Sequence, residues 1–436
     1  MSTIATRSGN HSEEIGVLVD RVVEAAADPR YEANKKMWTA HNRLQKTDKT
    51  PVFVCLKRGN GPSANPVTWS ELIPNETRVS SDPVEMDIEL QLRQKLYKHD
   101  HIPDDEVLLP TLWVSAARPG GASDGGTSAD FEAIDATRTA QLWGMPIKEV
   151  HPSVVGGAYA VEPVIKADSD MDQLQAPIFE VDESATAERV EHASEMVDGK
   201  LPVRVRTDEL GYSPTEIMIS LMGMEQVLFG VIDRPEFIHR LMEFITNAMI
   251  DYHQQREQAG CVDPQQTWGY RVPYEELPVD EDTRKLKFCW PTVAAQSTVG
   301  LSPKMYAEFV QPYHNRLAAT LGENRVYYHG CEDLTKKIPV IRELPNLRRF
   351  HVSPWTNLES AVDQLGTDFV LEVVGHPDTL HVMTREQMRA DLERMMDIAG
   401  DYIIDLNLGE IETTFGNPSV LTTWAEVAQE VVAERD

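Results

Sequence analysis

Cysteine is scarce: four residues in 436, at Cys55, Cys261, Cys289 and Cys331. So few exclude a disulfide framework, and the lack of any C-x-x-C pair excludes a zinc ribbon; a reducing cytoplasm is the expected compartment. Positive charge is short as well. Only 41 Lys and Arg stand against 70 Asp and Glu, a net charge of −29, which argues against nucleic acid or an anionic membrane surface as a partner because polyphosphate would be repelled. The acids are spread along the chain and read as a solvated surface. No apolar run approaches the ~18 residues of a membrane span. The opening stretch MSTIATRSGNHSEE lacks the apolar core of a secretory signal. Fixed-period repeats, low-complexity linkers and a Gly-rich phosphate loop are also missing, and the last of these weakens an open doubly wound sheet.

The second half carries the clearest pattern. RVYYHG from Arg325, LRRFHVS from Leu347, DFVLEVV from Asp368 and DYIIDLNL from Asp401 are short β-branched or aromatic runs, each followed by a helical stretch. One of those helices opens with Thr384 and Gln387 in capping-box spacing, its apolar face running Met388, Leu392, Met395, Met396, Ala399. Alternating strands and helices predict a parallel sheet with right-handed crossovers. Four further strand candidates begin at Glu106, Leu201, Val262 and Phe288. Eight in all predict an α/β fold, a (β/α)8 TIM-like barrel over residues 101–436, preceded by a helical segment over 1–100. Between the second and third strands, Pro214 to Gly260 reads as two helices. A Gly-, Ser- and Asp-rich stretch from Arg118 to Phe131 reads as a flexible loop or lid.

In such a barrel the site collects at the C-terminal ends of the strands. That face would hold Trp113, Arg206, Gln296, His329 with Cys331, Ser353 with Trp355, Glu372, and the Asn407–Glu412 segment. In YYHGCEDL, His329 and Cys331 are two apart at the end of one strand, so both can face one metal ion. An H-x-C arises by chance in roughly one chain in eight of this composition. Imidazole and thiolate suit Zn²⁺, and a catalytic zinc takes a third protein ligand and keeps an open position. Cys55, Cys261 and Cys289 fall elsewhere, so a carboxylate is expected: Glu410 first, with Glu412 and Glu372 as alternatives. At this point a small buried cysteine beside a hydrogen-bonded histidine is still an open reading. Glu332 and Asp333 are either partners orienting His329 or acids at a helix start. His351, His376 and Tyr270 either line the pocket or are structural. Trp355 and Trp113 could stack on an aromatic substrate, and Arg206 could bind a carboxylate.

From about Met37 onward the chain resembles the uroporphyrinogen decarboxylase superfamily, a distorted (β/α)8 barrel. The resemblance rests on PTEIMISLMGMEQVLFGVIDRPEFIHRLM and GLSPKMYAEFVQPYHNRL. The segments YYHGCEDLTKKIPVIRELPNLRRFHVSPW, FVLEVVGHPDTL and TFGNPSVLTTWAEVAQEVV resemble its cobalamin (corrinoid)-dependent methyltransferase branch. In that branch a His-x-Cys pair and one later cysteine hold zinc. His329 and Cys331 match the pair, whereas no cysteine follows Cys331; relatives without the late cysteine have an acid near the position of Glu410. The resemblance therefore implies a zinc-assisted methyltransferase with His329, Cys331 and Glu410 as catalytic and metal-binding residues. Tyr270, Arg206, Gln296, Trp355, Glu372 and His376 would contact the substrate. It implies methyl transfer between a small methylated substrate, such as a methoxylated aromatic undergoing O-demethylation, and a corrinoid. No D-x-H-x-x-G cobalamin module is present, so the corrinoid would come on a partner protein or as free cofactor. A homodimer is compatible with this reading. The decarboxylases' Arg-rich substrate motif is absent, which leaves a tetrapyrrole lyase or a non-catalytic corrinoid- or metal-binding subunit as the alternatives.

Overall fold

The computed structural model describes residues 2–56, 67–119, 143–145, 148–150, 160–207, 209–269, 272–377, 379–409, 411 and 413–435. Its strands in chain order are β1 (Val52–Val54), β2 (Leu112–Ser115), β3 (Lys148–Val150), β4 (Ala160–Glu162), β5 (Val203–Arg206), β6 (Thr292–Ala294), β7 (Val326–His329), β8 (Leu347–Val352), β9 (Val370–Val374) and β10 (Ile404–Leu408). Six of them form one sheet in the order β1-β10-β9-β8-β7-β6, and every pairing in it is parallel. β2 and β5 pair in parallel as a second, two-stranded sheet, and β3 with β4 as an antiparallel pair.

This is an α/β fold with a six-stranded parallel sheet, of the kind a barrel contains, but the barrel does not close among the described residues. The physical reason at one seam is visible in β1. Among the described residues its outer edge is covered by the Asp104–Asp105 segment and not by a strand: Val52 N donates to Asp105 Oδ2 at 2.9 Å, Val54 N to Asp104 Oδ2 at 2.8 Å, and Asp105 N donates to Val52 O at 2.8 Å. Those carboxylates are held by Lys49 and Lys98, each 2.6 Å away.

Two expectations need correction here. β1 lies within the first hundred residues, where only helix was expected. The stretch from Val262 is not a strand. Pro264 lacks the N–H a ladder needs, Asp263 Oδ1 accepts from Gln265 N at 3.0 Å, and Pro264–Thr267 closes into a 3-10 turn.

The helices follow their local signals. Thr384 and Gln387 form the capping box that starts the helix Arg385–Ala399. Ser302 caps Pro303–Phe309, and Pro312 at the start of the next turn separates that helix from Gln311–Thr320. Pro214 to Gly260 makes three helices, not two: Pro214–Met222, Met224–Asp233 and Pro235–Gln258. Gly223 divides the first pair at φ +78, where a Cβ would stand 2.9 Å from Pro163 Cγ, and the axes bend by 101°. Among the described residues no single helix is long and apolar enough to cross a membrane. From Gly120 to Phe131 the expected loop or lid lies outside the described residues.

Parallel strands covered by helices are buried on both faces. β9 and β10 are buried throughout, as is nearly all of β8. Against that apolar background the interior charges stand out.

Candidate metal centre

The pleat of β7 sends Tyr327 and His329 to one face, and Cys331 continues the alternation just past the strand. Register supplies the rest: Tyr327 lies beside Arg349, His351 beside Glu372, and Glu372 beside Asp405. Four neighbouring strands thus bring Tyr327, Arg349, His351, Glu372 and Asp405 into one buried polar column.

At its head, His329 Nε2 stands 3.1 Å from Cys331 Sγ. The His329 and His351 rings are 4.3 Å apart between centroids. One ligand atom from each of His329, Cys331 and His351 lies within 4.8 Å of the others. Ions with bonds of about 2.0–2.3 Å to nitrogen and sulfur fit such a triangle after a small contraction. His351 Nε2 is buried and has no hydrogen-bond partner. An imidazole nitrogen left so is costly, and a metal would satisfy it. The residues present therefore fit a zinc-type ion, with two imidazoles and a thiolate as ligands.

Beneath the ligands, the Tyr327 hydroxyl is 3.1 Å from His329 Nδ1, 3.1 Å from His351 Nδ1 and 3.0 Å from Glu372 Oε1. Glu372 Oε1 is also 2.9 Å from His351 Nδ1. Arg349 donates to Glu372 Oε2 at 3.1 Å and grips Asp405 through two nitrogens at 3.1 and 3.0 Å. His41 Nε2 closes the column 3.0 Å from Asp405 Oδ2. Burial pushes the Glu372 carboxyl up, but the hydrogen bond from His351 and the Arg349 guanidinium beside it outweigh that and hold it well below the usual carboxylate range.

The other sequence candidates divide. Glu410, Glu412 and Tyr270 lie outside the described residues. Both carboxylate oxygens of Glu372 have protein partners, so its place in the column is that of a support and not of a substrate contact. Arg206 is buried against Asp87 at 3.2 Å and Ser115 Oγ at 3.2 Å, its charge already matched. Trp113 is buried. Trp355 is 45% exposed and meets His376 edge-on at 5.5 Å; His376 Nδ1 is buried without a hydrogen-bond partner. Gln296 is exposed, in the turn after β6. Ser353 donates to Glu332 O at 2.6 Å.

Glu332 does not orient His329; Tyr327 does. Both Glu332 oxygens are buried without hydrogen bonds, and Lys337 Nζ stands 3.8 Å away. Burial raises the Glu332 carboxyl to about 7, against the pull of Lys337. Asp333 accepts from Thr335 N at 2.9 Å and from the Thr335 hydroxyl, a local turn contact.

Sequence reasoning left His351 between pocket and structure and did not single out Tyr327, Arg349, Asp405 or His41. The available signal was a charged or polar residue in the middle of each buried strand: Arg349 and His351 in LRRFHV, Glu372 in VLEVV, Asp405 in IDLNL. In a strand buried on both faces such a residue must have an interior partner.

Residues 292–418, from β6 to the residue before the last helix, match the protein family described as uroporphyrinogen decarboxylase (URO-D). No curated protein matches the chain significantly in sequence. Among solved structures, a methyltransferase from Methanosarcina mazei is similar in fold, with a TM-score of 0.52 and 13% sequence identity, over 91% of this chain and 98% of that one.

Proposed function

We propose that this chain, whose residues 292–418 form a uroporphyrinogen decarboxylase family domain, is a metal-assisted methyltransferase. It moves a methyl group between a small methylated substrate, a methoxylated aromatic in the O-demethylase version, and a corrinoid supplied by a partner protein or as free cofactor. The observation that carries the reading is the His329–Cys331–His351 triangle at the C-terminal end of the parallel strands. The likeness in fold to a methyltransferase supports it.

In this reading His329 and His351 hold the ion through Nε2 and Cys331 through its thiolate. Zinc held there supplies Lewis acidity to a substrate oxygen, nitrogen or sulfur. The exposed ring of Trp355 offers an aromatic substrate a stacking surface at the rim, and His376 beside it offers a polar edge. Glu410 competes with His351 for the third ligand position; zinc content of His351→Ala and Glu410→Gln decides between them. A decarboxylase acting on a polycarboxylate would need cations free to meet it. Among the described residues Arg349, Lys337 and Arg206 each already face a carboxylate. The scarcity of cysteine goes with a cytoplasmic protein, and the resemblance to the corrinoid-dependent methyltransferase branch goes with a corrinoid protein as partner.

The test is metal analysis of untagged protein together with the absorbance change of Co(I) corrinoid on adding methyl donors. We expect about one equivalent of zinc, lost in Cys331→Ser together with corrinoid methylation. Full zinc content with no methylation from any methoxylated aromatic or methylated amine would refute catalysis and leave a binding subunit.

A further inference from the structure

We infer that Tyr327 and Glu372 are the positioning residues of the ligand triangle, locking His329 and His351 into the tautomer that presents Nε2 to a metal. The inference rests on the metal-centre reading above and deepens it.

The argument is one of counting hydrogens. Glu372 forms a buried ion pair with the permanently charged Arg349 guanidinium through Oε2, which favours the carboxylate, and a carboxylate donates nothing. Its Oε1 has two neighbours, the Tyr327 hydroxyl at 3.0 Å and His351 Nδ1 at 2.9 Å; both must donate to it. The Tyr327 hydroxyl has a single hydrogen, and this arrangement spends it on Glu372. Its oxygen then accepts from His329 Nδ1 at 3.1 Å. Each histidine therefore carries its hydrogen on Nδ1. A neutral imidazole so protonated has its free lone pair on Nε2.

Geometry agrees at both rings. His329 Nε2 points to Cys331 Sγ at 3.1 Å, and His351 Nε2 is the buried atom without a partner. The anchor is rigid, because Arg349 ties Glu372 Oε2 to Asp405, and Asp405 is held from behind by His41. One tyrosine and one carboxylate thus fix two ligands from two different strands. Fixing ring orientation and tautomer in this way typically changes metal affinity by 10–100-fold.

Tyr327→Phe and Glu372→Gln, made in the full untagged chain, test this with Zn²⁺ as the probe in competition against a chromophoric chelator. Both variants should bind zinc about 10–100-fold more weakly than the parent, while the circular dichroism of both metal-free variants and the thermal midpoint of metal-free Tyr327→Phe stay close to it; Glu372→Gln, which takes one carboxylate from the buried Arg349, should melt lower. In Co²⁺-loaded protein the thiolate charge-transfer band should persist while the d–d bands shift, as expected when the thiolate stays and the imidazoles reorient. Parent-like zinc affinity in Tyr327→Phe overturns the inference. So does loss of the metal-free fold in both variants, which would make the two residues structural. A parent that binds zinc without methylating corrinoid sinks the proposed activity but leaves this assignment standing; a parent that binds no zinc sinks both.

Discussion

Arg349→Met removes the cation on which the polar column turns. The guanidinium is 1% exposed and touches Glu372 Oε2 at 3.1 Å, Asp405 at 3.1 and 3.0 Å and Asn42 Oδ1 at 3.2 Å. Methionine keeps most of the apolar stem, so the change is chiefly electrostatic. A unit-charge pair about 4 Å apart at an effective dielectric of about 20 is worth about 4 kcal/mol. The two carboxylates do not add, because they repel each other once the cation is gone. Breaking a buried pair by removing one partner costs about 3–5 kcal/mol, against a total stability of about 5–15 kcal/mol. The assay is urea denaturation at pH 7.5 on metal-free protein, where the midpoint should fall while the slope is unchanged. The triple variant Arg349→Met, Glu372→Gln, Asp405→Asn removes all three charges and should regain most of the loss, since replacing a whole buried pair is often neutral. Its zinc affinity should stay weak. A single variant within 1 kcal/mol of the parent, or a triple variant no better than the single, would refute the reasoning.

Two further predictions concern the scaffold. His314 is fully buried, its Nε2 is without a partner, and burial lowers its pKa from 6.5 to about 3. Between those values the unfolded chain binds the proton and the folded one does not. Stability is therefore full above about pH 6.5 and lost as pH falls, by about 2 kcal/mol from pH 6.5 to 5. His314→Gln should remove about that much of the acid sensitivity in urea titrations at the two pH values, and equal losses in parent and variant would refute it. Gly322 sits at φ +67, where an added Cβ would run into Pro291 Cδ and stand 2.8 Å from Cys289 O. Gly322→Ala should cost about 2 kcal/mol or more by the same assay, and a neutral result would show that the turn relaxes freely.

The half of the fold that was legible in the sequence is the half where local and global signals agree. β6 to β10 are short apolar runs separated by helices with caps at Ser302, Asn357 and Thr384. β1 escaped notice because three residues behind Pro51 carry almost no periodicity, and its identity as a strand comes from Leu406, Asn407 and Leu408 far along the chain. The stretch from Val262 is a turn because Asp263 before Pro264 favours one and Pro264 has no N–H for a ladder. At the site, spacing alone was enough to pair His329 with Cys331. It could not find His351, since which residue of β8 meets the pair depends on register, and register here includes an irregularity at Val326/Tyr327. Tyr327 stood inside the quoted YYHGCEDL stretch, yet a tyrosine in a strand is ordinary until its hydroxyl is seen between two imidazoles and a carboxylate.

The join between β1 and β10 also sets a timetable for making the protein. His41 and Asp405 are 364 positions apart, and among the described residues β1 pairs with no strand of the large sheet but β10. At roughly 5–20 residues per second, the ribosome needs tens of seconds to deliver β10 after β1 has emerged. Throughout that interval Val52, Phe53 and Val54 wait as an unpaired apolar edge, with Asp104 and Asp105 the earliest groups able to cover part of it. The nascent chain is thus most exposed to misassociation just before synthesis ends, and the acids that cap the outer edge of β1 are its first shield.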